Sequence, residues 1–433
     1  MAKTGRAWDS KKKLSLARTP LTSRAVFVTG MLAMAPVTAF AGGAGGTAYV
    51  GNPLEKIENT DTLNFIVGGQ VRYDSNIFRL SNSEDPEPFL GRSQKSDMIF
   101  STNAGVRLDK SYSQQRLEAE VMLVDHRFRT YDFLDYTAFN YKAALHWHLT
   151  PRISGILLAE HKEEMNSFSE YRNTEKNVQT SDVRVFTVDG EIGGGFHVIG
   201  GLLDVRARNS KTFEQVGDYQ QDGFELGGKY VAASQNWISI VQRETDGEYR
   251  GRELDPVGQL DSGFDQSETE ANVFWRLTGK STLDGKLAYL KREHDNFESR
   301  DYSGMVGRLL YRWDITGKTH LNVSVSRNMY SYQEDENSYY ITETFSISPV
   351  WKYSPKTTFR ARYDYSDRDY GGAIVAIPEE RRDKLQVFLV AADWKATRNI
   401  IVTGTLQRDK RTSNFEDFDY NANSASINAQ FLF

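Results

Sequence analysis

Residues 139–149, Phe-Asn-Tyr-Lys-Ala-Ala-Leu-His-Trp-His-Leu, alternate in character almost without a break. Phe139, Tyr141, Ala143, Leu145, Trp147 and Leu149 fall on one face, and Asn140, Lys142, Ala144, His146 and His148 on the other. A period of two is that of a β-strand, whose successive side chains point to opposite sides. The same pattern recurs on either side. In 97–109, Met98, Phe100, Ala104, Val106 and Leu108 oppose Ser101, Asn103, Arg107 and Asp109. Leu283, Leu287 and Tyr289 mark the apolar face of 282–292, and Phe359, Ala361, Tyr363 and Tyr365 that of 357–366.

From about Thr62 to the end, such segments of near ten residues follow one another, which is the weak but repeated signature of a transmembrane β-barrel. The connections alternate as well. Short turns at 109–113, 150–152, 198–201 (Val-Ile-Gly-Gly), 233–236, 278–280, 314–317, 354–355 and 396–399 trade places with long acidic stretches such as 81–94, 163–181 and 246–263. Short periplasmic turns and long extracellular loops are what an outer-membrane barrel requires. The expectation is an all-β fold, an antiparallel up-and-down barrel of about 18 strands over 62–433, with both ends on the short-turn side. At that size side chains alone do not fill the interior, so an aqueous channel or a plug is expected. A loop such as 163–182 or 247–264 is long enough to fold inward, but no sequence mark of a constriction loop stands out.

Both termini agree with this reading. Seven basic residues (Lys3, Arg6, Lys11, Lys12, Lys13, Arg18 and Arg24) precede an apolar run and then Ala39-Phe40-Ala41. That is a signal peptide over 1–41, leaving a short periplasmic tail at 42–61. The run is too short for a comfortable spanning helix, and no other stretch approaches 18 apolar residues. At the other end, Ile427, Ala429, Phe431 and Phe433 share a face, and the last residue is aromatic. Such a strand resembles the signal read by the outer-membrane barrel assembly machinery, an expected partner together with outer-membrane lipids and lipopolysaccharide. The localisation expected is the Gram-negative outer membrane.

Composition narrows the function. The chain has 433 residues, no cysteine and a net charge of -5. Without its basic presequence it becomes more acidic still, a poor match to nucleic acid. With no disulfide available, the fold rests on hydrogen bonding and burial. Trp147, Trp237, Trp275, Trp313, Trp351 and Trp394 all lie near short turns, the natural periplasmic aromatic girdle.

Projecting the apolar faces outward leaves a polar lumen. Its candidate substrate-binding residues are Arg72, Arg107, Lys142, Arg206, Arg208, Arg276, Arg308, Arg312, Arg360 and Arg362, sharing that face with acids including Glu120, Asp189, Asp204, Glu225, Glu268, Glu270, Asp284 and Asp364. Two readings stand: cross-strand ion-pair ladders that stiffen the wall, or a cationic conduit for an anionic or hydroxyl-rich polymer. Catalysis is not expected. His146 and His148 share a face but lack an identifiable third ligand, and His126, His161 and His294 beside acids form no recognisable constellation. Nucleophile-elbow, zincin and nucleotide-binding fingerprints lack a plausible context. No metal or cofactor is implied.

One short motif carries a family resemblance. Tyr73-Asp74-Ser75-Asn76-Ile77-Phe78-Arg79, leaving the first strand, resembles the opening of the β-barrel porin families. Within them the chain is most similar to EpsL-type outer-membrane proteins of exosortase (PEP-CTERM)-associated exopolysaccharide clusters, across essentially the whole mature chain. The resemblance implies export of an exopolysaccharide across the outer membrane, with periplasmic or inner-membrane polysaccharide export proteins as partners. General diffusion and surface anchoring through the acidic loops remain the alternatives.

Overall fold

The computed structural model describes residues 62–169, 174–211, 217–332 and 334–433. The expected signal peptide (1–41) and tail (42–61) lie outside the described residues. Eighteen strands run through the described part. The first six are β1 (Leu63–Asp74), β2 (Asp97–Tyr112), β3 (Gln115–Phe128), β4 (Tyr136–Thr150), β5 (Ile153–Met165) and β6 (Val178–Gly193). The next six are β7 (Phe196–Asn209), β8 (Asp218–Val231), β9 (Trp237–Arg250), β10 (Gly263–Thr278), β11 (Ser281–His294) and β12 (Tyr302–Asp314). The last six are β13 (Thr319–Ser331), β14 (Tyr339–Lys352), β15 (Thr357–Gly371), β16 (Arg382–Lys395), β17 (Ile400–Ser413) and β18 (Tyr420–Leu432).

Each strand pairs antiparallel with its neighbours in sequence, and β1 also pairs with β18, from Ile66 opposite Leu432 to Asp74 opposite Ser424. The sheet therefore has no open edge, the condition for placing strands in hydrocarbon. The start of β1 and the last residue meet at the short-turn end, where the Phe65 and Phe433 amides and carbonyls exchange bonds of 3.0 and 2.9 Å.

The apolar faces point outward. Leu202, Leu226, Ile240 and Ile427 are each 60% exposed or more. In water such an apolar surface would be an association hazard; facing lipid it is the required band. A concavity of about 820 Å³ on this face, lined by Val71, Tyr73, Trp351, Phe359, Leu406 and Ile427, belongs to the acyl-chain environment. Trp147, Trp275, Trp313, Trp351 and Trp394 lie on outward positions of their strands, the first stacked on Phe186 with ring centroids 5.9 Å apart. Trp147 also covers Gly155, where a Cβ would come within 2.5 Å of the indole. Trp237 departs from the expected girdle: it shares the inward face of β9 with Ser239 and Val241 and lines the interior.

One turn also falls elsewhere. The β6–β7 turn is made by Gly193, Gly194 and Gly195, with φ of +123°, +61° and +82°, a conformation that costs glycine no Cβ clash. The expected turn at 198–201 is instead continuous strand.

At the opposite end the long loops pack inward. Ile77, Phe78, Leu80, Tyr131, Leu134 and Phe168, from three connections, with Met165 at the end of β5, bury themselves on the inward-facing Ile99, Phe128, Tyr136 and Ala138. Phe78 sits at the centre, 4.8 Å from Phe168 and 4.9 Å from Tyr131 between ring centroids. The polarity expected of a porous barrel is thereby inverted at this level: the inner wall is apolar because loops cover it.

Candidate functional site: the lumen and its outer closure

The Tyr73–Arg79 motif builds the start of that closure. Asp74, fully buried, accepts from Arg72 Nη2 (2.9 Å), from Arg79 Nη1 and Nη2 (2.9 and 3.0 Å) and from the Asn76 amide (3.0 Å). The Asn76 side chain closes a turn on Leu80, donating to its carbonyl at 2.8 Å and accepting from its amide at 3.0 Å. Arg79, with φ of +54°, lies over the Tyr420 ring and reaches Asp409 at 3.4 Å. Burial opposes its charge, but attraction and hydrogen bonds from Asp74, then Asp409, hold the guanidinium pKa above its ordinary value. The motif is thus a folding device that turns the first loop into the mouth.

The β5–β6 connection goes further. Asn166, Ser167, Phe168 and Ser169 are all buried, and Arg411 on β17 donates to the Ser169 carbonyl. Going round the wall, β5 and β17 are six strands apart. Residues 166–169 therefore reach over the mouth as a strap. On the other side Arg300 ties three loops together, donating to the carbonyls of Gln259 (2.6 Å), Gly258 (2.7 Å) and Glu334 (3.1 Å) and to Ser338 Oγ (3.3 Å). Arg381 lies 4.2 Å from the Tyr370 ring and 3.5 Å from that of Phe418 while bonding Asp383; such desolvated cation–π contacts are worth about 2 kcal/mol each.

Below the closure, lumen charges meet across strands and, between Arg362 and Asp364, along β15 itself. Arg107 bonds Glu120 at 2.6 Å, and Lys142 lies 3.5 Å from Glu160. Arg308 reaches Asp284 at 3.2 Å, Arg360 reaches Asp393 at 2.7 Å, and Arg362 reaches Asp364 at 2.8 Å. Arg243 and Lys286, neither in the expected binding set, hold the most buried group. Arg243 contacts Glu225, Glu268 and Glu270 at 2.7, 3.0 and 3.4 Å, and Lys286 contacts the last two at 3.0 and 2.7 Å. This group borders a cavity of about 340 Å³ whose wall carries Asp189, Glu225, Glu270 and Asp284 against Lys229, Arg243, Lys286 and Arg308, with Ser239, Asn272, Ser326, Asn328 and Trp237 between them. Formal charge on that wall is balanced.

Three of the expected lumen residues are not in the lumen. Val205 and Ala207 face inward in a buried cluster with Val183, Val185, Tyr219, Tyr249 and Phe264, so Arg206 and Arg208 point outward. Asp204, expected inside, points outward with them. Arg206 bonds Asp204 at 3.1 Å, and Arg208 bonds Asp182 at 3.2 Å. The assumption that apolar means outward fails here because this stretch of inner wall is itself apolar and packed. Arg72, Arg107, Lys142, Arg308, Arg360 and Arg362 do face inward. So do Arg276 and Arg312, at the short-turn end and exposed.

A closed barrel with a lipid-facing apolar band and a polar, ion-paired interior defines a porin-type β-barrel of the outer membrane. A family model described as "Putative beta-barrel porin 2" matches residues 263–433, from β10 to the last residue. No curated protein matches the chain. Among solved structures, Acinetobacter baumannii OccAB3 is similar over 87% of this chain and 100% of its own, at 9% identity and a TM-score of 0.47. Pseudomonas aeruginosa OpdK with vanillate is similar over 86% and 99%, at 10% identity and 0.47. OccK2 (OpdF) of the same organism in complex with glucuronate is similar over 86% and 98%, also at 10% and 0.47.

Proposed function

We propose that this barrel is a diffusion channel for small hydrophilic solutes. The observation that carries the reading is the balanced, hydroxyl- and amide-bearing cavity of about 340 Å³ beneath a mouth narrowed by the Ser169–Arg411 strap. A volume at the lower end of the range for small-molecule sites suits a molecule of saccharide size. Alternating donors and acceptors replace water around it without trapping one charge sign. The test is swelling of liposomes carrying the full barrel. Monosaccharide- and disaccharide-sized solutes are expected to enter, with a steep fall for larger oligosaccharides; absence of solute-dependent swelling would sink the reading.

Export of an exopolysaccharide, with periplasmic or inner-membrane export proteins as partners, is the second reading. What favours it is the Tyr73–Arg79 resemblance together with the inward Arg360 and Arg362 on β15. Deleting the gene in the native host distinguishes the two. Polymer trapped in the periplasm supports export, whereas unchanged surface polymer leaves the diffusion channel.

A further inference from the structure

The short-turn mouth is built differently from the rest of the lumen. Arg107, Arg308, Arg360 and Arg362 each meet a carboxylate. Arg276 and Arg312 meet none among the described residues, and both are exposed on inward positions. They belong to one lateral row, Arg276 opposite Thr282 and Thr282 opposite Arg312, continuing through Asn322 and Ser348. Two strand spacings put their Cα atoms roughly 10 Å apart. A register shift between Arg276 and Thr278 marks a bulge beside the first of them, the kind of irregularity that re-aims a side chain. The Arg276 guanidinium leans on the Phe274 ring at 5.9 Å, which leaves its N–H edges available.

The rim beneath this row is basic in the same sector. Lys280, Lys318, Lys352, Lys356 and Arg398 are exposed on successive short turns or their strand ends. Asp314 is the acid among them, and it faces His320 at 2.5 Å. Across the mouth, by contrast, Arg116 is already held by Asp109 and Glu118 at 2.7 Å each.

We propose that this sector is a capture site for the carboxylate or phosphate groups of an anionic saccharide arriving at the short-turn side. Arg276 and Arg312 would supply forked hydrogen bonds, and the lysines the attracting field. This deepens the diffusion-channel reading by naming a solute class, and its use in transport rests on that reading.

Binding is measured apart from permeation, by titration calorimetry on the full barrel in detergent with galacturonate, trigalacturonate and neutral maltotriose. Folding of each variant is checked by its heat-modifiable gel mobility. Galacturonate and trigalacturonate are expected to bind, more weakly as salt rises, and maltotriose to bind at least tenfold less. The double variant Arg276→Gln/Arg312→Gln should lose at least fivefold, Arg276→Lys/Arg312→Lys an intermediate amount because charge without the fork remains, and Lys110→Gln nothing. Equal affinity for monomer and trimer identifies a free small solute as the source, and much tighter binding of the trimer identifies a polymer. Equal binding of charged and neutral trisaccharides, or no effect of the double glutamine variant, overturns the proposal. Binding without liposome swelling would overturn the channel reading and leave the capture site standing.

Discussion

Asp74 and Arg79, five residues apart, are joined by two parallel hydrogen bonds of 2.9 and 3.0 Å in a fully buried setting. The pair ends the first strand and starts the inward course of the first loop. Removing Asp74 takes from the buried Arg72 and Arg79 the carboxylate they share, a loss on the order of 3–5 kcal/mol, whereas removing Arg79 leaves Asp74 with Arg72 as its cation and should cost less. Asp74→Ala and Arg79→Ala should each lower the urea midpoint for the folded gel band, and Arg79→Lys should rescue little because a lysine cannot fork. A midpoint unchanged in Arg79→Ala would refute the structural role of the motif.

The strap should control conductance more than barrel stability. Phe168→Ala removes a buried ring that packs on Phe78, a change costing about 3–5 kcal/mol in a well-packed core. Here the loss falls on docking of the strap. Single-channel conductance in planar bilayers is expected to rise and become noisier, with the thermal transition of the barrel shifting little. The same conductance in Phe168→Ala and the parent would show that the strap does not narrow the path.

Arg243 is the hub of the buried lumen charges. Arg243→Ala takes from Glu225 its ion pair and leaves Lys286 as the cation paired with Glu268 and Glu270, and a loss of about 3–5 kcal/mol is expected. Adding Glu225→Gln to the same chain should restore part of it. A double-mutant cycle in urea measures the coupling, and strict additivity would show that the contact contributes nothing.

One outward row places like charges side by side. Asp204, Asp222, Asp246, Asp265 and Glu293 lie opposite one another on β7 to β11, and directly opposed like charges on neighbouring strands are destabilising by about 0.2–1 kcal/mol. Asp246→Asn relieves two such contacts, so it should stabilise the barrel in low salt and do nothing at high salt, where the field is screened. Stabilisation that persists undiminished in high salt would point to another cause.

Closure of the loops should weaken in acid. Asp261, in the β9–β10 connection, is buried, which by itself raises its pKa. Bonds from the Asn296 side chain and from the amides of Asn296, Ser262 and Gly263 outweigh burial and hold the pKa below the ordinary aspartate value. A carboxylate depressed in the folded state contributes stability above its unfolded pKa of about 3.9 and loses it as pH falls through the folded value. Protease cleavage in the long loops should therefore rise below roughly pH 4, and Asp261→Asn should flatten that step. Cleavage independent of pH in the parent would exclude the mechanism.

The sequence by itself determined that the chain closes into a barrel, that it has about 18 strands, and which end carries the short turns; the exact count of 18 came from the folded sheet. Alternation such as that of 139–149 is local: whatever the neighbours are, one face is apolar and the other polar, and only closure satisfies such strands in lipid. The inward places of Arg107, Lys142, Arg308 and Arg360 were legible for the same reason. Tertiary structure alone decided the rest. Arg206 and Arg208 turn outward because Val205 and Ala207 find an apolar neighbourhood inside, and that neighbourhood comes from strands and loops distant in the chain. The strap from Ser169 to Arg411 joins residues 242 positions apart, beyond any periodic signal. Which arginines are paired follows from cross-strand register, so only the folded wall separates Arg360, held by Asp393, from Arg276 and Arg312, which among the described residues face the mouth without a carboxylate.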